Sequence, residues 1–403
     1  MSLYFDNAAT TPLDPAVLEA MLPYYTQHWG NASATHRRGR EARHAVETAR
    51  QTVADLLGAQ PDEIFFTSGA TESDNMALVG SIRSGSIRDV ITSPIEHKAV
   101  LQPLVRLKKQ DVIRLHYVEL DAQGRVDYDH LEELLDGRRN LSLSNRQTGG
   151  VLVSLMHGNN EVGNLTDIER VAWLCRQFSA YFHSDTVQTV GRYRYNLGKL
   201  PVDFIVGSAH KFHGPQGVGF LYVRSPHQLP ALLHGGSQEQ GKRPGTENVA
   251  GIVGLAKALE ISYRDLADNQ AHVRALKAQL IEQLRAAHPD VQFNGTSAEL
   301  DESLDTVLNV SLPPLPCGQP LVDVLDARGI AVSGGSACSN LAKGGSHVLQ
   351  AIGVYPNREN VRISLSRFTS QAEVETLLKQ IAEVYEVYSP AKTAVPIAIE
   401  AAY

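Results

Sequence analysis

Short apolar runs alternate along most of the chain with longer segments whose apolar residues recur at helical spacing, the pattern of a mostly parallel sheet covered by helices. The runs that predict strands are 63–67, 89–93, 151–157, 181–185, 203–208 and 217–223. Helix signals fall between them. Asp14 precedes Pro15, a cap followed by proline at the first helical position, and Asp127 precedes the periodic stretch 128–135. The segment 37–57 reads as a helix stopped by Gly58, and 166–179 reads as another. The chain up to about residue 250 therefore predicts one doubly wound α/β domain. From Val249 to about Ala287 the spacing stays helical, long enough to leave that domain and enter a second. The second is smaller and α+β, with strands over 306–312, 329–332 and 360–364 and helices over 320–327 and 346–352. Ser370 and Glu373 form a capping box that opens a final helix. From Ser389 the sequence is rich in proline and alanine and predicts a loose tail.

Composition narrows the classes. At 403 residues, 43% hydrophobic and 20% charged, the chain has enough apolar material for more than one core, which excludes disordered, collagenous and disulfide-scaffold proteins. Lys and Arg number 37 against 44 Asp and Glu, a net charge of −7, and the basic pairs Arg37-Arg38, Lys108-Lys109 and Arg138-Arg139 are scattered. Direct binding of nucleic acid is not expected. The first residues reach Asp6 without a basic region leading into an apolar one, and no run approaches bilayer length, so the expectation is a cytoplasmic chain with no membrane partner. The three cysteines, Cys175, Cys317 and Cys338, are too few and too far apart for a disulfide framework or a paired metal site. Any that matters here matters as a thiol.

Chemistry concentrates where predicted strands end. The strand Ile64-Phe65-Phe66 runs into Gly69, Ala70 and Thr71 and then a helix, so backbone N–H groups and a hydroxyl gather at a helix N-terminus suited to an anion. The spacing matches neither a nucleoside triphosphate loop nor a dinucleotide fingerprint; the other reading is a capped tight turn. Ser208, His210, Lys211 and His213 precede Gly214 and Gly217 at another strand end. A lysine held in apolar surroundings sheds its charge readily, as Schiff-base chemistry requires, whereas Lys199 reads as a solvated loop residue. His210 and His213 also admit a metal reading, without a cysteine or acid at helical spacing to complete it. Asp185 closes a strand with Gln188 three residues on, placed to hold a protonated ring nitrogen and a ring oxygen, or to cap a helix. Glu96-His97-Lys98 and the stretch 157–163, which includes Asn160, also sit at strand ends.

The glycine- and serine-rich stretch 333–346 surrounds Cys338 and predicts a mobile exposed loop. Cys175 fits a buried apolar role, and Cys317 lies on a surface turn with nothing to lower its pKa. Arg362, in an otherwise apolar or small strand, predicts a paired guanidinium suited to a substrate carboxylate; Arg367 reads as structural.

Taken in order, residues 4–12, 67–75, 96–100, 156–163, 208–217, 241–246, 335–338 and 362–369 resemble the cysteine desulfurases of the NifS/IscS branch, within the class V aminotransferase group of fold type I pyridoxal 5'-phosphate (PLP) enzymes. The resemblance implies a large domain with a mostly parallel seven-stranded sheet plus a smaller α+β domain. The expected division is an arm at 1–14 packing with the small domain, a PLP-binding domain at 15–255, a linking helix and small domain with the cysteine loop at 256–388, and a tail at 389–403. It makes Lys211 the Schiff-base lysine, Asp185 the pyridinium partner, Gln188 the donor to the ring hydroxyl and His97 the ring-stacking group that assists proton transfer. Ala70, Thr71, Ser208 and His210 would hold the phosphate, with Thr246 reaching in from a second subunit of a homodimer. Asn160 and Arg362 would hold the substrate carboxylate, Asn160 also touching the cofactor, and Cys338 would take up sulfur from L-cysteine as a persulfide and pass it to an acceptor protein.

The sequence departs from the family at Asn31–Ala34, at Gly158 where valine is usual, and at Ser333-Gly334, none of which removes a reactive group. The acceptor route, to iron–sulfur clusters, thiolated tRNA or another cofactor, is left open. The alternatives are another PLP reaction, either selenocysteine lysis or transamination, and a non-catalytic sulfur carrier or scaffold; Cys338 has no use in transamination.

Overall fold

The computed structural model describes residues 3–85, 87–144, 150–225, 227, 229–334, 345–354 and 357–387, leaving aside the side chains of 139–144. The chain opens with β1 (Leu3–Tyr4), α1 (Pro15–Thr26), α2 (Arg37–Leu57), β2 (Ile64–Thr67), α3 (Ala70–Arg83), β3 (Ile87–Thr92), α4 (Lys98–Lys109) and β4 (Arg114–Tyr117). It continues through α5 (Tyr128–Ser144), β5 (Gly150–Ser154), α6 (Ile168–Gln177), β6 (Tyr181–Asp185), β7 (Phe204–Ser208), β8 (Gly219–Val223), α7 (Val249–Arg264) and α8 (Leu266–Ala287). Last come β9 (Gln292–Phe293), β10 (Val307–Leu312), α9 (Leu321–Ala327), β11 (Ile330–Ala331), α10 (His347–Ala351), β12 (Glu359–Ser364) and α11 (Gln371–Val387).

The fold type I sheet has seven strands in the order β2-β8-β7-β6-β5-β3-β4, and it is parallel except for β8, which runs against both of its neighbours. β7 and β8, inside the sheet, and β2, at its edge, are buried throughout, because helices cover both sides. Local chemistry sets the helix ends. Asp14 Oδ1 accepts from Ala16 N at 2.8 Å ahead of Pro15, and α2 stops at Gly58, whose φ of 66° is a left-handed conformation that glycine adopts without strain.

A second core lies around the antiparallel sheet β12-β10-β9 and is covered by α8 and α11, with Leu280, Leu308, Val310, Ile363, Leu377 and Val384 inside it. The arm joins this region: β1 pairs in parallel with β11, and Phe5 is buried in the second core. No described helix is long and apolar enough to cross a membrane.

Two expectations change. The single helical stretch from Val249 to Ala287 is two helices broken at Asp265, because α7 buries Ile252, Leu255 and Leu259 in the first core whereas α8 buries Val273, Leu280 and Leu284 in the second. A straight helix cannot turn one apolar stripe toward both. In addition, β4 escapes sequence reading because it is a short edge strand with polar residues at alternate positions. Arg114 and His116 bond across to Asp89 on β3, at 2.8 and 3.0 Å, while Leu115 alone turns inward and is buried.

Candidate active site

The strands β2, β3, β5, β6 and β7 point the same way, so the segments that follow them converge at one edge of the sheet, where open α/β sheets take their ligands. They frame a cleft of about 1040 Å³, its open mouth included. Ala70, Thr71, His97, Asn160, Asp185, Gln188, Ser208, His210 and Lys211 all line it. Thr246 is exposed and does not line the cleft, and Cys338 lies outside the described residues. Arg362 is buried beside the cleft.

At the β2 end, Gly69 caps α3 with φ at 150°, and the buried Thr67 hydroxyl lies 2.8 Å from the Ser73 hydroxyl, bracing the turn. Close approach of the backbone is built in. A Cβ on Gly219 would stand 2.6 Å from the Gly207 carbonyl oxygen and 2.8 Å from Gly69 Cα. The first-turn N–H groups of α3 therefore face the cleft edge without intrahelical acceptors.

Lys211 sits in a single helical turn after β7, and its Nζ donates to the carbonyls of Ala8 and Ala9 at 2.6 and 2.8 Å. Asp185, the last residue of β6, accepts from Val187 N at 3.0 Å. Burial pushes its carboxyl above the usual range, opposed by His97, the Val187 N–H and Lys211. His97 caps α4 through Nδ1, which accepts from Ala99 N at 3.1 Å, so the proton of the neutral ring belongs on Nε2. Burial draws the imidazole below its ordinary pKa, while Asp185 opposes. The capping reading of His97 thus holds alongside its place in the cleft, whereas Asp185 caps no helix and its carboxylate closes the turn that follows β6. Burial also pulls His210 down to about 4, with Lys211 adding to the effect, and its Nδ1 lies 3.1 Å from Thr10 Oγ1.

Gln188 Nε2 spends one of its two N–H groups on Ala8 O at 3.0 Å, and its buried Oε1 has no partner among the described residues. Arg362 pairs with a carboxylate of its own chain: Nη2 donates to Asp6 Oδ1 at 2.6 Å and Nη1 to Asn160 O at 2.8 Å, leaving the buried Nε unpartnered among the described residues. Arg367 pairs with Asp14, Cys175 is buried, and Cys317 and Lys199 are exposed. His213 turns away from the cleft, its Nδ1 2.9 Å from Pro12 O.

Both flanks of the segment 335–344, which holds Cys338, are tied to this site. Ser333 exchanges backbone hydrogen bonds with Arg362. On the other side Ser346 caps α10 and donates to Glu161, next to Asn160, while His347 Nε2 lies 2.9 Å from the carbonyl oxygen of Glu96, next to His97.

Beneath and behind these residues lie Glu96, which sequence reading placed at a strand end without a role, and Asp74 and His183, to which it gave none. Asp74 on α3, Glu96 and His183 are buried close to Asp185, and His183 Nε2 lies 3.3 Å from Asp74 Oδ1. Burial, with Asp185 and Glu96 adding, lifts the Asp74 carboxyl well above its usual range; burial lifts Glu96 to about 8 and lowers His183 to about 3. One signal was available: strand alternation puts His183 on the same face as Asp185. Asp6 carried no signal of its own.

Residues 3–377 match the family described as aminotransferase class-V. Over 397 residues the chain is 39% identical to the cysteine desulfurase IscS of Dictyoglomus turgidum, with 97% of each chain covered. It superposes on a solved NifS-like protein with a TM-score of 0.85 at 38% identity, covering 96% of this chain and all of that one. A further structure, SspA in complex with cysteine, gives a TM-score of 0.76 at 31% identity over 92% of this chain and 100% of the other.

Proposed function

This chain belongs to the aminotransferase class-V family and is a PLP-dependent cysteine desulfurase, and from that premise we propose how its own residues divide the work. The donor set fits the cofactor. A glycine-capped helix N-terminus offers N–H groups to a phosphate, a buried carboxylate lines the cleft, and the buried Gln188 Oε1 has no partner among the described residues. Ala70, Thr71, Ser208 and His210 hold the phosphate, Asp185 the ring nitrogen and Gln188 the ring oxygen, with His97 against the ring face. When bound, PLP supplies an electrophilic carbon for amines and a protonated ring that draws electrons from the substrate's bonds.

Lys211 anchors the cofactor and carries the proton removed from Cα of L-cysteine. Asp185, ionised opposite Lys211 and His97, keeps the ring nitrogen protonated. Arg362 and Asn160 orient the substrate carboxylate, toward which Arg362 keeps N–H groups, Nε among them, without a partner among the described residues. A bond then forms between Cys338 Sγ and the substrate sulfur as the substrate Cβ–S bond breaks. The electron pair stays with the three-carbon fragment, which takes up a proton and leaves as alanine. Cys338 must attack as a thiolate, and His97, drawn below its ordinary pKa by burial and lining the cleft, is the residue assigned to take its proton.

The unit at 15–255 holds the cofactor and the unit at 256–388 brings the cysteine. Exposed Thr246 serves the cleft of a second copy, making the working form a homodimer. The persulfide then passes to an acceptor protein, in the reducing cytoplasm where thiol chemistry of this kind persists. The observation that carries this reading is the meeting of Lys211, Asp185 and His97 in one cleft, with both flanks of the Cys338 segment tied to neighbours of Arg362, Asn160 and His97.

To test it, alanine and sulfide are quantified from L-cysteine and a reductant for wild type, Lys211→Ala and Cys338→Ser. Both variants should lose sulfide. Undiminished alanine from Cys338→Ser would overturn the role of that thiol and point to selenocysteine lysis or transamination.

A further inference from the structure

The amine of Lys211 meets two carbonyls from the far end of the chain, and those carbonyls are held in place independently of it. Residues 6–9 form a tight turn closed by Ala9 N donating to Asp6 O at 3.0 Å. Ala8 N donates to Ser364 Oγ at 2.9 Å, Asn7 Nδ2 donates to Ser364 O at 2.9 Å, and Thr11 N donates to His210 O at 2.8 Å. Asn7 and Ala8 are buried, and Ala9 lines the cleft. The turn thus presents Ala8 O and Ala9 O as a rigid pair of acceptors beside Lys211 Nζ.

Two acceptors suit one kind of guest. A primary amine has at least two N–H donors, and a neutral one that spends both on carbonyls keeps its lone pair for chemistry. Ala8 O also accepts from Gln188 Nε2 at 3.0 Å, so Ala9 O, at the cleft, is the acceptor that gives up its Lys211 bond when the lysine is engaged elsewhere, and with Ala8 O beside it the pair favours another amine in its place.

We propose that the carbonyls of Ala8 and Ala9 form a primary-amine subsite, which holds the ε-amine of Lys211 and receives the α-amine of the substrate when the lysine leaves it. The second half rests on the function proposed above. The subsite is separate from Arg362, which takes the carboxylate end, so a substrate amino acid is gripped at both of its charged groups.

Lys211→Ala deletes three carbons and the nitrogen, the outline of n-propylammonium. In the cofactor-free variant, n-propylammonium should raise the thermal midpoint saturably, whereas n-propyltrimethylammonium, which has no N–H, should not. Cofactor-free wild type should show no such difference, because its own lysine fills the place. L-Cysteine should also raise the variant's midpoint, and its effect should not add to that of n-propylammonium. Ser364→Ala in the same background, by loosening the turn, should weaken the response. Equal stabilisation by the two cations, or full additivity with L-cysteine, would overturn the subsite.

Should Lys211→Ala not fold, Lys211→Met supplies an arm of similar length without N–H groups. It should lower the cofactor-free midpoint relative to wild type, and an unchanged midpoint would overturn the proposal. Adding PLP to Lys211→Ala separates the two readings. Failure to retain the cofactor noncovalently, seen in the visible spectrum, counts against the proposed cofactor site; retention without N–H dependence counts against the subsite alone.

Discussion

Glu96 offers a sharp test of how the buried acids beneath the cleft share protons. Its Oε1 accepts from Ser93 Oγ at 2.8 Å and Met156 N at 3.0 Å, while Oε2 is buried with no partner among the described residues. Burial is the main cause that pushes its carboxyl up to about 8, with Asp185 adding to it and the two hydrogen bonds opposing. In the unfolded chain a glutamate ionises near pH ~4.3. The sign follows. Below about pH 4 both states hold the proton and Glu96 contributes nothing to the pH dependence, whereas between there and about 8 the unfolded chain has lost a proton that the folded chain keeps. Stability therefore falls as pH rises through that window, by ~1.4 kcal/mol per unit and at most roughly 5 kcal/mol in all, with relaxation around the charge reducing it to about 2–5 kcal/mol.

Glu96→Gln keeps the shape and the accepting oxygen but cannot ionise. Thermal unfolding of the two proteins, followed across the weakly acid to weakly alkaline range, should give equal midpoints at the acid end and a variant several degrees higher near about pH 8. Parallel curves, or a variant less stable at the alkaline end, would refute the protonated state of Glu96.

Two further substitutions address the frame of the site. Gly219→Ala forces a methyl into the Gly69 turn, a displacement costing ~1–3 kcal/mol, and should weaken PLP binding by roughly tenfold in an absorbance titration of cofactor-free protein; unchanged affinity would show that the turn does not hold the phosphate. Glu239 receives Arg50 Nη2 and Nη1 at 2.7 and 2.8 Å and Phe66 N at 2.8 Å, so Glu239→Ala leaves the buried guanidinium only the more exposed Glu47, 3.2 Å from its Nε, and should cost ~3 kcal/mol in thermal unfolding, part of it recovered in the Arg50→Met, Glu239→Leu double variant.

The sheet was legible because its strands are near-continuous apolar runs, and the strand over 181–185 coincides with β6 to the residue. The helix over 37–57 was legible because a glycine terminates it. Much of the cleft was legible for the same reason: parallel strands deliver their terminal residues to one edge, so Asp185, Ser208 and Lys211 could be grouped before any contact was known. What stayed hidden depends on contacts far apart in sequence. Nothing local joins Asp6 to Arg362 or Ala8 to Lys211, since those pairs exist only because the arm crosses between the two cores. The break at Asp265 was hidden because both helices carry apolar stripes, and only the change of core tells them apart.

The central claim is that sulfur moves from L-cysteine to Cys338 under the control of Lys211. Mass spectrometry of the PLP-loaded protein, treated with L-cysteine in the absence of reductant and digested, reads it directly. The account predicts one added sulfur on the peptide containing Cys338 in wild type and none in Lys211→Ala. Added sulfur on Cys317 or Cys175 instead, or on Cys338 irrespective of Lys211, would contradict it.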